Sequence, residues 1–137
     1  MKSLIYGSVG VIGSLIAYLF GGWDASIITL LIFMIADYIT GTIVAGVFHK
    51  SDKTSSGSIE SRVGWKGICK KFVTLIFVIV ANCLDRQMGT TFIRDAVCIT
   101  FITNELVSLI ENAGLMGLPI PKVITNAIAV LQSKEED

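Results

Sequence analysis

The stretch ASIITLLIFMIADYITGTIVAGVF, residues 25–48, is apolar almost throughout and carries one charged side chain, Asp37. A membrane-spanning helix needs about 20 mostly apolar residues, because each advances the axis by about 1.5 Å and the hydrocarbon layer is about 30 Å thick. This run meets that length. The rest of the chain leans the same way, with 53% hydrophobic and 16% charged residues. An ordinary soluble domain has roughly 45–50% apolar and about 25% charged residues.

Three further apolar runs follow from the sequence. Leu4–Phe20 comes after Lys2, an arrangement shared with signal peptides; YLFGGWDAS lacks a good small-residue cleavage site, so a retained helix is expected. Phe72–Leu84 is short and spans only if its helix begins within GWKGICKK, with Lys66, Lys70 and Lys71 snorkelling to the interface. Phe92–Asn112 is the least apolar of the four. Pro119 and Pro121 then end that helix, since proline lacks the N–H a helix interior needs. In the tail, Ile124, Ala127, Ile128 and Leu131 recur at helical spacing. Such a stripe suits either the inner leaflet or a zipper with neighbouring tails.

The expected fold is therefore all-α: a polytopic membrane protein with about four transmembrane helices, three being the alternative count, and a cytoplasmic amphipathic C-terminal helix. Residues 1–118 form the transmembrane domain, with spans near 4–21, 25–48, 68–84 and 92–112 and a basic loop at 49–67; residues 119–137 form the tail. Lys2, six Lys/Arg between Lys50 and Lys71, Lys122 and Lys134 would share one side, leaving Arg86 and Arg94 on the other. The positive-inside rule puts both termini and the central loop in the cytoplasm.

The polar residues within the spans are the candidate functional positions. An acid at mid-bilayer costs about 2.5–3.5 kcal/mol on insertion scales, against a return of about 0.3–0.6 for each Leu, Ile, Phe or Val. Asp37 lies 12 residues along from Ala25 and Glu105 13 along from Phe92. Both acids are then on the order of 18–20 Å from the outer surface and meet at one level. Facing carboxylates in low dielectric share a proton or take a partner, for which Arg94, Asn104, Tyr38 and water are the candidates. Gly41 continues the Asp37 face. Arg94, Cys98, Phe101, Glu105, Ser108 and Asn112 share one side of the fourth helix, which also carries Glu111. On the first helix Gly7, Gly10, Ser14, Ala17 and Gly21 form a small-residue stripe, the kind of face on which membrane helices pack closely. Asp37, Gly41, Arg94, Glu105, Ser108 and Glu111 are thus the expected pore or helix-contact residues, and the stripe is the expected oligomer contact.

Catalytic and metal chemistry find no support in the sequence. A Walker loop, H-E-x-x-H and G-x-S-x-G are missing, and His49 is the single histidine. Cys69, Cys83 and Cys98 show no C-x-x-C spacing and read as small apolar fillers. No enzyme activity and no cofactor are expected. Zero formal net charge gives no footprint for nucleic acid.

DYITGT (37–42), SSGSIESRVGWKGICKK (55–71), NELVSLIEN (104–112) and GLPIPK (117–122) occur in this order, and together they resemble the toxin-secretion/phage-lysis holin family. The resemblance covers roughly Ala25 to Leu131. It implies a protein that accumulates in the bacterial cytoplasmic membrane among lipid, forms homo-oligomers and opens lesions. Through these an endolysin or a large toxin crosses as cargo, with no direct binding implied. A small ion channel or transporter subunit, and a non-opening antiholin or membrane scaffold, are the alternatives on the same residues.

Overall fold

The computed structural model describes residues 1–136 and is helical, without strands among them. Five helices follow one another: α1 (Lys2–Phe20), α2 (Ala25–Gly46), α3 (Ser61–Met88), α4 (Ile93–Leu115) and α5 (Lys122–Glu136). Among these residues three helices, α1, α2 and α3, are long and apolar enough to cross a membrane. The fold is that of an all-α polytopic membrane protein. The helix α4 has the length of a span but carries Arg94, Asp95, Glu105 and Glu111, and it packs against both α2 and α3.

The third helix departs from expectation. It runs for 28 residues, beginning at Ser61 instead of near 68 and continuing past the expected end at 84 to Met88. The basic loop is shorter accordingly. Gly64 and Gly67 weaken a helix by only about 1 kcal/mol each relative to alanine, too little to stop one that continues through the apolar run behind them.

Local chemistry sets the helix ends. The chain leaves α1 through Gly21, left-handed at φ 82°, whose N–H reaches the Ala17 carbonyl. Asp24 then caps α2, accepting from the Ile27 N–H at 3.1 Å. Gly89, at φ 69°, ends α3 in the same left-handed way. Phe92, at the N-cap of α4, offers no side-chain cap. Asp85 of α3 does that work from a distance, accepting from the N–H groups of Ile93 (3.0 Å) and Arg94 (2.9 Å) and from the Thr90 hydroxyl (2.6 Å). Asp85→Ala is expected to destabilise the folded protein by ~1–2 kcal/mol, the range for loss of an N-cap; thermal unfolding in detergent measures it, and Asp85→Asn should recover part of the loss.

The bundle has three tiers. Its apolar core is Ile27, Leu30 and Met34 of α2, Val78 of α3, and Cys98 and Ile102 of α4. The Arg94–Asp24 pair and Asp85 lie at one end of this core, and Asp37, Lys71 and Glu105 lie at the other. Along α2, α3 and α4 the two polar tiers are 13, 14 and 11 residues apart, so roughly 16–21 Å of apolar packing separates them. Pairing near both ends shows α2 and α4 running parallel and α3 antiparallel to them.

The two outer helices behave differently. No residue of α1 is buried, and the helix touches the bundle near its end, where Tyr18 and Leu19 meet Asn82 of α3 and Phe20 meets Arg94 of α4. Instead of leaving for the membrane surface, α5 folds back along α4: Ile128 and Leu131 are half-buried, and Leu131 packs on the apolar core. Ile124 of the same stripe stays 39% exposed.

Candidate functional site

Asp37 sits inside the bundle, 7% exposed, with its carboxylate fully engaged. Lys71 Nζ donates to Oδ2 at 2.8 Å, Ser108 Oγ donates to Oδ1 at 2.6 Å, and Asn112 Nδ2 donates to Oδ1 at 3.0 Å. The same ammonium reaches both Glu105 oxygens, at 3.1 and 2.9 Å. Asn112 also donates to Thr40 Oγ1 at 2.8 Å and to the Asp37 carbonyl at 3.3 Å, which fixes the register of α4 on α2.

This arrangement corrects one expectation. Lys71 does not snorkel to the interface with Lys66 and Lys70. Successive helix residues are about 100° apart, so Lys70 faces out while Lys71 shares the inner face with Val78, Asn82 and Asp85. Two acids in an apolar bundle also need a cation more than Lys71 needs water. Lys71, and not Arg94, Asn104 or Tyr38, therefore joins the carboxylates. Removing one partner of a buried pair generally costs about 3–5 kcal/mol, although a full pair stabilises little compared with apolar packing. The cluster thus specifies how the three helices fit together more than it adds stability.

Other named residues are placed as follows. Gly41 lies beside this cluster, where a Cβ would come within 3.7 Å of Asn112 Nδ2. Glu111 is exposed and stands outside it. Arg94 is at the opposite end of the bundle, 6% exposed, holding the α1–α2 corner. Its guanidinium donates to the carbonyls of Phe20 and Gly22 and takes Asp24 at 2.7 and 3.0 Å. Gly7, Gly10 and Ser14 of the α1 stripe face outward with no neighbour at the glycines; Ala17 is half-buried, and Gly21 is the turn against Asn82 and Arg94. Sequence reasoning missed Lys71 and Asn82. The signal for both was the i, i+7, i+11, i+14 face Lys71–Val78–Asn82–Asp85 within α3.

Outside the helices, the Arg94 guanidinium holds the Asp24 carboxyl below its usual pKa. A group with a lowered folded pKa stabilises above its unfolded value and loses that contribution as pH falls through the folded one. The melting temperature should therefore fall more steeply with acid below about pH 4 in the natural chain than in Asp24→Asn. Asp24 is half exposed, so the difference should be small.

Groups of His, Cys, Asp and Glu able to hold a metal are absent among the described residues. The model of the bacteriophage holin family matches residues 14–133. A probable holin of Bacillus phage phi105 is 34% identical over 122 residues, covering 88% of this chain and 83% of that protein. An uncharacterized 14.9 kDa protein of Clostridium perfringens, from the nagH 3' region, is 36% identical, covering 90% of this chain and 89% of its own. An uncharacterized protein of Listeria innocua is also 36% identical, covering 94% and 89%. No solved structure matches. With nearly the whole bundle matched, from the middle of α1 to the tail, the chain belongs to the bacteriophage holin family.

Proposed function

We propose that this chain oligomerises in the bacterial cytoplasmic membrane and opens lesions through which an endolysin or a large toxin crosses. The N-terminus and the 47–60 connection lie on the cytoplasmic side in this reading, from which α5 turns back along α4. The observation that carries it is the concealed polar cluster of Asp37, Lys71, Glu105, Ser108 and Asn112 in a membrane bundle whose family is that of holins.

In the single chain these groups satisfy one another and leave an apolar exterior. As the protein concentrates, contacts between copies replace lipid, with the outward small-residue face of α1 supplying a close-packing surface. Separation of α2, α3 and α4 then turns the polar cluster toward water and relieves its desolvation. A charge moving across the membrane field changes energy by about 2.3 kcal/mol per 100 mV, so the membrane potential biases this step.

Expression in a bacterial host, alone and with a cytoplasmic endolysin, tests the reading. Growth should stop abruptly, and lysis should follow only with the enzyme. Ion leakage without protein release would instead indicate a selective channel, and no effect would indicate a scaffold or antiholin. Asp37→Asn combined with Glu105→Gln should shift lysis timing or lesion size; unchanged values for both would remove these acids from the mechanism.

A further inference from the structure

Two hollows meet on the side of the bundle where α2 ends and α3 begins. The first is a cavity of about 430 Å³ whose wall includes Asp52, Lys53, Thr54 and Glu60 and whose buried side is Asp37 and Asn112. The second, about 290 Å³, is a groove between α2 and α3 with an apolar accessible lining, reaching along α2 from Leu31 to Ile39. Tyr38 and Ile68 border both, so the cavity, with its charged rim, adjoins the apolar groove. Ile35, Ile39 and Phe72 on the groove are more than half exposed, which opens it sideways to lipid. Together the hollows have the volume of a small-molecule site and the polarity profile of an amphiphile.

Charge on the cavity wall narrows the occupant. The Asp37 carboxylate is saturated by Lys71, Ser108 and Asn112, and Glu60 accepts from Ser55 Oγ at 3.1 Å. Asp52 and Lys53 form no ion pair among the described residues. The Thr54 hydroxyl oxygen is buried and meets no protein partner. One free carboxylate and one free ammonium at one mouth complement a headgroup that carries an amine and a phosphate. A helix from a second copy would leave the cavity's polar groups unmatched.

We propose that this site binds one amine-bearing zwitterionic phospholipid, with the ammonium on Asp52, the phosphate on Lys53, and an acyl chain in the α2–α3 groove. The proposal rests on the chain spanning a membrane and not on its opening a hole, so the lysis experiment above can fail without touching it.

The test uses the full chain purified in mild detergent. Lipid retained per chain is measured by mass spectrometry. Thermal stabilisation of the delipidated protein is then titrated with phosphatidylethanolamine, phosphatidylcholine and phosphatidylglycerol. Phosphatidylethanolamine should be retained at about one per chain and bind at least about fivefold tighter than either competitor. Gly67→Phe, at a cavity position where an added Cβ meets nothing within 4 Å, should lower retention by about fivefold or more. Gly10→Phe, equally open but on α1, should not. Should Gly67→Phe prove misfolded by circular dichroism, Asp52→Asn with Lys53→Gln decides, since both side chains are exposed and their loss should abolish the headgroup preference. Equal binding of all three lipids (bulk lipid only), a preference for phosphatidylglycerol, or full retention in the folded variants would overturn the proposal.

Discussion

Lys71→Met is expected to prevent accumulation of a stable folded protein in the membrane. The substitution leaves Asp37 and Glu105 close together inside the bundle with no cation between them. Breaking a buried pair by deleting one partner typically costs about 3–5 kcal/mol, a large share of the roughly 5–15 kcal/mol by which a domain is stable. Membrane yield and the thermal midpoint in detergent measure the loss. A lysine that merely snorkelled would tolerate the change within about 0.5 kcal/mol. The triple variant Lys71→Met, Asp37→Asn, Glu105→Gln should regain most of the stability, because no charge is then left unpaired. A stable single variant would show that the acids do not depend on Lys71.

Arg94→Leu should have the second-largest effect. Arg94 ties the last residues of α1, the start of α2 and the start of α4 together, through the carbonyls of Phe20 and Gly22 and the carboxylate of Asp24. Leucine keeps the bulk and removes every one of these bonds. Leaving several acceptors unmatched at a part-buried corner costs on the order of 3 kcal/mol. Arg94→Lys should recover only part of this, since a point charge cannot occupy several diverging acceptors as a planar guanidinium does. Because α1 is anchored only near its end, protease sensitivity around Gly21–Trp23 should rise before the bundle melts. Equal melting temperatures for Arg94→Leu and the natural chain would refute this role.

Much of the architecture was legible in the sequence because length and apolarity are local properties. The residue counts that put Asp37 and Glu105 at one level anticipated two acids that in fact share one ammonium. Lys71 was not legible, because it stands in a run with Lys66 and Lys70 that reads as interfacial. Only the helix phase of α3, extended back to Ser61, turns Lys71 inward and Lys70 outward. The start of that helix was only bracketed by the sequence, within GWKGICKK, and the structure carries it back to Ser61. Asp85 escaped notice for a different reason: it caps a helix other than its own, and no spacing rule within one segment reveals that. The path of α5 depends on Leu131 finding the bundle core, a tertiary contact to which its amphipathic stripe is blind.

The layer of Ile27, Leu30, Val78, Cys98 and Ile102 between the two polar tiers carries a further consequence. An aqueous thread down the axis of one chain would have to wet a tightly closed hydrocarbon collar, and such constrictions stay dry. While α2, α3 and α4 stay packed, water and ions are therefore stopped inside each molecule. In the opening proposed above, passage runs along seams between molecules, and its width then grows with the number of copies that surround it. An opening of that kind has no fixed calibre, and a folded protein can fit where a single-chain conduit would admit only ions.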